Sequence, residues 1–181
     1  MWISPPTDFS VCEMDELYHF IGSKKGYENG INSYVMTQTT DFPRQIVNLD
    51  VDNAKTTEHF QRLVDGSPAF KSYCTDGCRA YQGVNFPGFH IRNIHDKSDT
   101  CGVESVNSDL RHYIAGLHRR CKTFFRKKET KHAVLFVFAC AYNKFGDKKA
   151  CTRVPVIHKS PTPNKKLHKW QYPNFSILDF L

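Results

Sequence analysis

The feature that most restricts this chain is a change of period near residue 54. The segments "VCEMDELYHFI" (11–21), "INSYVMTQTT" (31–40) and "RQIVNLDVDN" (44–53) are successive extended stretches, with apolar and polar residues alternating weakly. A polar, glycine-rich stretch, "GSKKGYENG" (22–30), reads as a hairpin loop between the first two, and Asp41-Phe42-Pro43 separates the second pair. "AKTTEHFQRLVDG" (54–66) then places Ala54, Phe60, Leu63 and Val64 on one helical face, with Gly66 positioned to end the helix. The extended pattern returns in "FKSYC" (70–74) and in "FHIRNI" (89–94). Three strands, a helix and two more strands make an α/β order. The helix allows a parallel crossover, so the fourth strand could lie beside the first.

After Gly102 the helical period takes over. Val106, Leu110, Tyr113, Ile114 and Leu117 recur at spacings of three and four and form one apolar stripe, with Glu104, Asn107, Arg111 and His118 on the other side. A basic linker, "RRCKTFFRKKET" (119–130), leads into a last helix predicted over 129–143. Its run "AVLFVFACAY" (133–142) is ten residues long. A membrane span needs about 18 or more, so a buried element is expected instead. Past Gly146 the chain is rich in proline and lysine, with "HKSPTPNKKLHKW" (158–170) at its centre, and is expected to be weakly structured. The predicted organisation is a short extension (1–10), one α/β domain (11–146) and a basic tail (147–181).

Composition narrows the class. At 40% hydrophobic and 24% charged residues, the 181-residue chain is suited to a globular domain with a real core. The opening "MWISPPTDFSVCEMDE" has neither a basic n-region nor a long apolar run, so no signal peptide is expected. With that, seven scattered cysteines read as reduced thiols of a cytoplasmic protein. Cys74, Cys78, His90, His95 and Cys101 could assemble a structural zinc site, although incidental thiols are the simpler account. The net charge of +7 is unevenly spread: residues 1–110 carry 9 Lys/Arg against 15 Asp/Glu, residues 111–143 carry 8 against 1, and residues 144–181 carry 8 against 2. An acidic part joined to a basic part suits a polyanionic partner lying over one region, the alternative being a basic tail without a partner.

The aspartate in "YCTDGCRAY" (73–81) has two readings. Asp-Gly is a common turn dipeptide. In the crossover arrangement, however, Asp76 ends the fourth strand beside Asp15 of the first, and Glu104 at the start of a helix can approach both. Three converging carboxylates repel one another unless a cation lies between them. Oxygen ligands suit Mg²⁺ or Mn²⁺, and two such ions about 3.5–4 Å apart support in-line phosphoryl displacement. Spacing alone selects this trio weakly among 18 acidic residues. Glu16 would be the inward carboxylate if the register slipped by one, and Glu104 could be a first-turn acid interacting with the helix dipole.

"EMDELYHFIGSKKG" (13–26), "YCTDGCRAY" (73–81) and "GVESVNSDLRHYIAGLHRRCKTF" (102–124) together resemble the catalytic half of InsB-type transposases of the insertion sequence one family. The resemblance covers roughly residues 12–143. It implies a ribonuclease H-like fold, a mixed five-stranded sheet in the order 3-2-1-4-5 flanked by helices, and DDE chemistry that cuts and rejoins DNA at element ends. Its acidic triad falls on Asp15, Asp76 and Glu104, which would hold two Mg²⁺ or Mn²⁺ ions. It further implies that Asn107, Arg111 and His118 look toward the metal site and the DNA. Cys78 departs from the family's usual tryptophan, and Cys101 from the histidine or glutamine that commonly precedes the glutamate by three. The usual recognition region before the first strand has no counterpart here. A separate amino-terminal recognition polypeptide is therefore expected, with self-association on DNA. The alternatives are a catalytically inactive DNA-binding remnant and a related nuclease of the same fold.

Arg119, Arg120, Lys122, Arg126, Lys127, Lys128 and Lys131 crowd beside Phe124 and Phe125. This cluster is read as a DNA backbone track. For the two phenylalanines, packing into the core is the better reading.

Overall fold

The computed structural model describes residues 10–22, 31–40, 44–93, 98–118 and 124–145. The hairpin loop at 23–30, Arg119, Arg120, Lys122, His95 and the two terminal segments expected from the sequence lie outside them. The elements are β1 (Val11–Ile21), β2 (Ile31–Thr40), β3 (Ile46–Asp52), α1 (Thr57–Asp65), β4 (Ser72–Thr75), β5 (Phe89–Arg92), α2 (Cys101–Tyr113) and α3 (Lys128–Phe145). The sheet order is β3-β2-β1-β4-β5, with β1–β2 and β2–β3 antiparallel and β1–β4 and β4–β5 parallel. This is the ribonuclease H-like order expected from the sequence, and the fourth strand lies beside the first.

Strand parity divides the core into two layers. Cys12 and Met14 of β1, Met36 of β2 and Val47 of β3 pack with Phe60, Leu63 and Val64 of α1. Leu17, Val35, Leu49 and Val51 pack with Val106 and Leu110 of α2 and Leu135 and Ala139 of α3. Side chains two apart on a strand share a face, so β1 sends alternate residues to helices on opposite sides of the sheet. Each fully buried Phe, Leu or Val contributes roughly 1.5–3 kcal/mol to holding a helix down. Thr56 caps α1 by accepting from the His59 N–H at 3.4 Å, and the Gly66 N–H closes the other end on the Arg62 carbonyl at 3.0 Å. Ala54, read from its spacing as part of the helix face, is instead exposed ahead of the cap.

Two further readings are corrected. The stripe Val106, Leu110, Ile114 and Leu117 is buried as expected, but it is not one helix. α2 ends at Tyr113, Ile114 is extended, and Leu117 comes inward on a 3₁₀ turn over Ala115–Leu117. A Cβ on Gly116 would lie 2.7 Å from the Phe125 ring, so closing that ring onto the turn requires glycine. The apolar run of α3 is not wholly buried either: Val134 is 39% and Val137 50% exposed, while Lys131, Leu135 and Ala139 face inward. Among the described residues no helix is long and apolar enough to cross a membrane.

The strands differ greatly in length, and that positions the site. β4 pairs with β1 only from Val11 to Met14, with Thr75 opposite Met14. Asp15 and Asp76 are therefore the first residues past the end of the parallel ladder. In open α/β sheets this carboxyl end, where the strand order reverses, is where ligands bind.

Candidate active site

Three predicted residues stand near that ladder end, although their ligand atoms do not all come within 4.8 Å of one another; among the described residues the group that does is Glu16, Asp76 and Cys78. Asp15 sits on the β1 face that looks toward α2, Asp76 leaves the end of β4, and Glu104 occupies the first turn of α2. Their proximity is felt at Asp15. Its pKa is raised chiefly by burial, a hydrogen bond from the Glu16 backbone and one from the Asn107 side chain work against that, and the charges of Asp76 and Glu104 push it up again. The charges acting on Asp15 are thus negative, and a cation is what would relieve them.

Asn107 holds Asp15 in place. Its Nδ2 donates to Asp15 Oδ2 at 2.8 Å, and its Oδ1 accepts from the Thr37 hydroxyl at 3.1 Å. The amide is only 4% exposed. Its side chain is thus engaged with the sheet, and the opposite-face reading is corrected: Val103, Val106, Asn107 and Leu110 are buried together on α2. Their spacing of three and four was legible, since Asn107 completes the stripe once it is extended back to Val103.

Glu13 fixes the helix that carries Glu104 and Asn107. Buried on β1, it accepts from the Val103 N–H at 2.8 Å, an anion at the N-terminus of α2, where Thr100 makes no side-chain cap. A Cβ on Gly102 would come within 2.6 Å of Glu13 Oε1, so this close approach needs glycine. Sequence reasoning passed over Glu13. Its signal was a carboxylate two residues before Asp15, hence on the same strand face.

On the opposite face, Glu16 is held by Lys55 at 3.1 Å, and its side chain is 2% exposed. Burial raises the Glu16 pKa first, Lys55 lowers it and Asp76 raises it again. Asp15, not Glu16, therefore faces α2, as the unslipped register requires. The turn reading of Asp76 also holds for one of its oxygens: Oδ1 accepts from the Cys78 N–H at 2.8 Å, tying the turn after β4. The two readings of the Asp-Gly pair coexist.

The remaining predicted residues lie elsewhere. Arg111 is half-buried near His19, whose pKa is lowered first by burial and also by Lys131 and Arg111. His118 is exposed and its Nε2 pairs with the His112 carbonyl at 2.9 Å. Arg126 and Lys127 are exposed, whereas Lys128 lies 3.6 Å from Asp52, which partly neutralises it. Lys131 does not belong to a surface track at all: it is 0% exposed and donates to the Ser33 hydroxyl at 2.9 Å. Phe124 packs on Phe20 and Phe125 on the second core layer, as the core reading holds. The zinc set does not assemble among the described residues: Cys74 is buried, Cys101 is exposed and His90 bonds Thr75. No protein-family model matches this chain, and no curated protein matches it.

Proposed function

We propose that the protein catalyses metal-dependent cleavage and transfer of DNA strands, as a transposase of the DDE kind. The observation that carries this reading is positional: Asp15 and Asp76 are the first residues past the end of the parallel ladder, Glu104 lies in the first turn of α2, and the charges of Asp76 and Glu104 both push up the pKa of the half-buried Asp15. The donor set fits hard divalent ions: carboxylate oxygens, negative neighbours and a strand edge that opens to ligand. Bound there, Mg²⁺ or Mn²⁺ would supply charge to the attacking and leaving oxygens of a phosphodiester.

The chain's own residues have separable roles in this reading. Asp15, kept in one orientation by Asn107 and Thr37, and Asp76, kept by its bond from the Cys78 N–H, are the rigid ligands. Glu104 enters from a helix whose first turn is pinned by Glu13. Arg126 and Lys127 are exposed cations suited to phosphates, which position a duplex without reading its sequence. Arg119, Arg120 and Lys122 add to the same basic run of sequence. Reading of element ends falls to a separate polypeptide or region, and copies would associate on the DNA.

Nicking and joining of DNA that carries candidate element ends, in Mg²⁺ or Mn²⁺, tests the proposal. Both activities are expected in the natural protein and neither in Asp76→Asn. Nicking without joining would favour a nuclease of the same fold. Salt-sensitive DNA binding with no cleavage would favour an inactive remnant, and cleavage unchanged in Asp76→Asn would remove this site as its source.

A further inference from the structure

The face of β1 turned away from Asp15 carries a second group of ligand atoms. A carboxylate oxygen of Glu16, one of Asp76 and the sulfur of Cys78 all lie within 4.8 Å of one another. Glu16 adds an independent sign of a missing partner. Its Oε1 is buried without a well-formed hydrogen bond, the buried Tyr81 hydroxyl being its neighbouring donor, and the side chain is 2% exposed. A buried carboxylate oxygen left in that state is costly, and a cation is its natural complement. Negative charge from Glu16, Asp15 and Asp76 also bears on the buried Tyr81 phenol, whose pKa is raised first by burial.

Among the described residues the cation paired with a carboxylate of this cluster is Lys55, while Arg92 donates to the Gly77 carbonyl between Asp76 and Cys78 at 2.5 Å. The Lys55 Nζ touches Glu16 Oε2 at 3.1 Å, but its side chain is 35% exposed and rises from the segment between β3 and α1. One ammonium satisfies one carboxylate oxygen here and leaves Oε1, Asp76 and the thiol to be shared.

We propose that Glu16, Asp76 and Cys78 form a second cation site, one that selects a borderline divalent ion of the Zn²⁺ class over Mg²⁺, with Lys55 holding the place of the ion in its absence. Two carboxylates and a thiolate are a mixed oxygen–sulfur set. Hard Mg²⁺ prefers oxygen and water, whereas sulfur ligation favours Zn²⁺ and Co²⁺. Bonds of about 2.0–2.3 Å to a tetrahedral ion place its ligands roughly 3.3–3.8 Å apart, so atoms within 4.8 Å of one another would draw inward by up to about 1 Å on binding. The Asp76–Cys78 turn bond keeps two of the three ligands together before any ion arrives. Lys55 is a weak competitor, because its half of the pair is 35% exposed and screened by solvent, which holds its effect on affinity to about fivefold. The site shares Asp76 with the proposed catalytic trio but does not need DNA chemistry, so the two readings fail separately.

Co²⁺ is the probe, added to the full chain in excess Mg²⁺. A near-ultraviolet thiolate-to-cobalt absorption band is expected to saturate at one equivalent. The band should be lost in Cys78→Ser and kept in Asp15→Asn, which disables only the trio. Glu16→Gln should weaken binding at least about tenfold, and Lys55→Met should tighten it by up to about fivefold. Absence of the band, or its survival in Cys78→Ser, overturns the site. An unchanged affinity in Lys55→Met overturns the placeholder role of the lysine. Loss of nicking in Asp15→Asn with the cobalt band intact separates this site from the catalytic one.

Discussion

Replacing Lys131 with methionine should stabilise the protein, which is an unusual expectation for a change in a fully buried side chain. Lys131 is 0% exposed, its Nζ donates to Ser33 at 2.9 Å, and among the described residues no carboxylate pairs with it. Its charge acts on His19 of β1, which is not an anion, and burial alone accounts for the shift in the lysine's own pKa. Burial pulls the lysine's pKa from 10.5 to about 8. At 1.36 kcal/mol per pKa unit, that drop amounts to about 3 kcal/mol of instability while the amine is protonated in both states. The sign follows from proton binding. The unfolded chain holds the proton more tightly, so the penalty is complete below pH 8 and fades as pH rises from about 8 to 10.5. Methionine keeps the length and apolar stem but leaves the Ser33 hydroxyl without its donor, a loss of about 1 kcal/mol. The net gain at pH 7 is about 2 kcal/mol, or roughly 4–8 °C in Tm for a chain of this size.

Thermal denaturation of both proteins at pH 7 and pH 10 measures this. The gap should be largest at pH 7 and should narrow at pH 10, where the natural protein carries a neutral amine. A variant less stable than the natural protein at pH 7 would mean that Lys131 has a counter-ion and that the burial argument is wrong. A gap that does not depend on pH would refute the titration itself.

Other outcomes follow from the same contacts. Asn107→Ala frees Asp15 to turn away, so divalent-ion affinity measured by calorimetry should fall about 10–100-fold with little change in the fold. Glu13→Gln weakens the anionic anchor of α2 and should lower stability by about 1 kcal/mol in denaturant titration, whereas Gly102→Ala, which drives a Cβ into the Glu13 carboxylate, should cost more. The raised Asp15 pKa makes its ionised form a cost in the ion-free protein, present above the folded pKa and relieved as pH falls through it. Asp15→Asn should therefore raise the Tm of ion-free protein at neutral pH but not in acid, and added Mg²⁺ should stabilise the natural protein more than the variant. Changing Arg119 and Arg120 together to alanine should weaken binding to many DNA sequences alike and flatten the slope of log affinity against log salt by about 2. A changed sequence preference at constant slope would make them base readers.

The sheet was legible because its evidence is local and periodic. Strand-like runs on either side of one helix leave few topologies and permit β4 beside β1, and the resemblance to the transposase family selects that order among them. What escaped was anything set by the depth of a polar residue. Lys131 lies in a run of seven cations and reads as one more of them, but α3 begins at Lys128 and turns that one position toward Leu135 and Ala139. Asn107 reads as polar and therefore outward until Val103 is counted with it. The end of α2 was missed for a different reason: Ile114 and Leu117 continue the stripe through a turn, because a 3₁₀ segment also brings residues three apart to one side.

The first strand shows why carboxylates are so hard to assign from a string. Glu13, Asp15 and Glu16 lie within four residues, and composition treats them alike. The pleat separates Glu16 from the other two and gives it Lys55. Glu13 and Asp15 share a face, yet their two-residue offset sets them against different parts of α2. Glu13 meets the unpaired N–H groups of the first turn, and its charge is accounted for by the backbone. Asp15 meets an amide further along, past the last residue that β4 covers, with Asp76 and Glu104 as its charged neighbours. A backbone-capping carboxylate can lose function only by loosening the fold. One surrounded by like charge is more stable neutral or with an ion. The contrast gives a discriminating pair of measurements. Glu13→Gln should lower Tm with or without divalent ion, and Asp15→Asn should raise it only without. If both substitutions moved Tm in the same direction in ion-free protein, Asp15 would be a structural carboxylate like Glu13, and the case for an ion at the ladder end would fail.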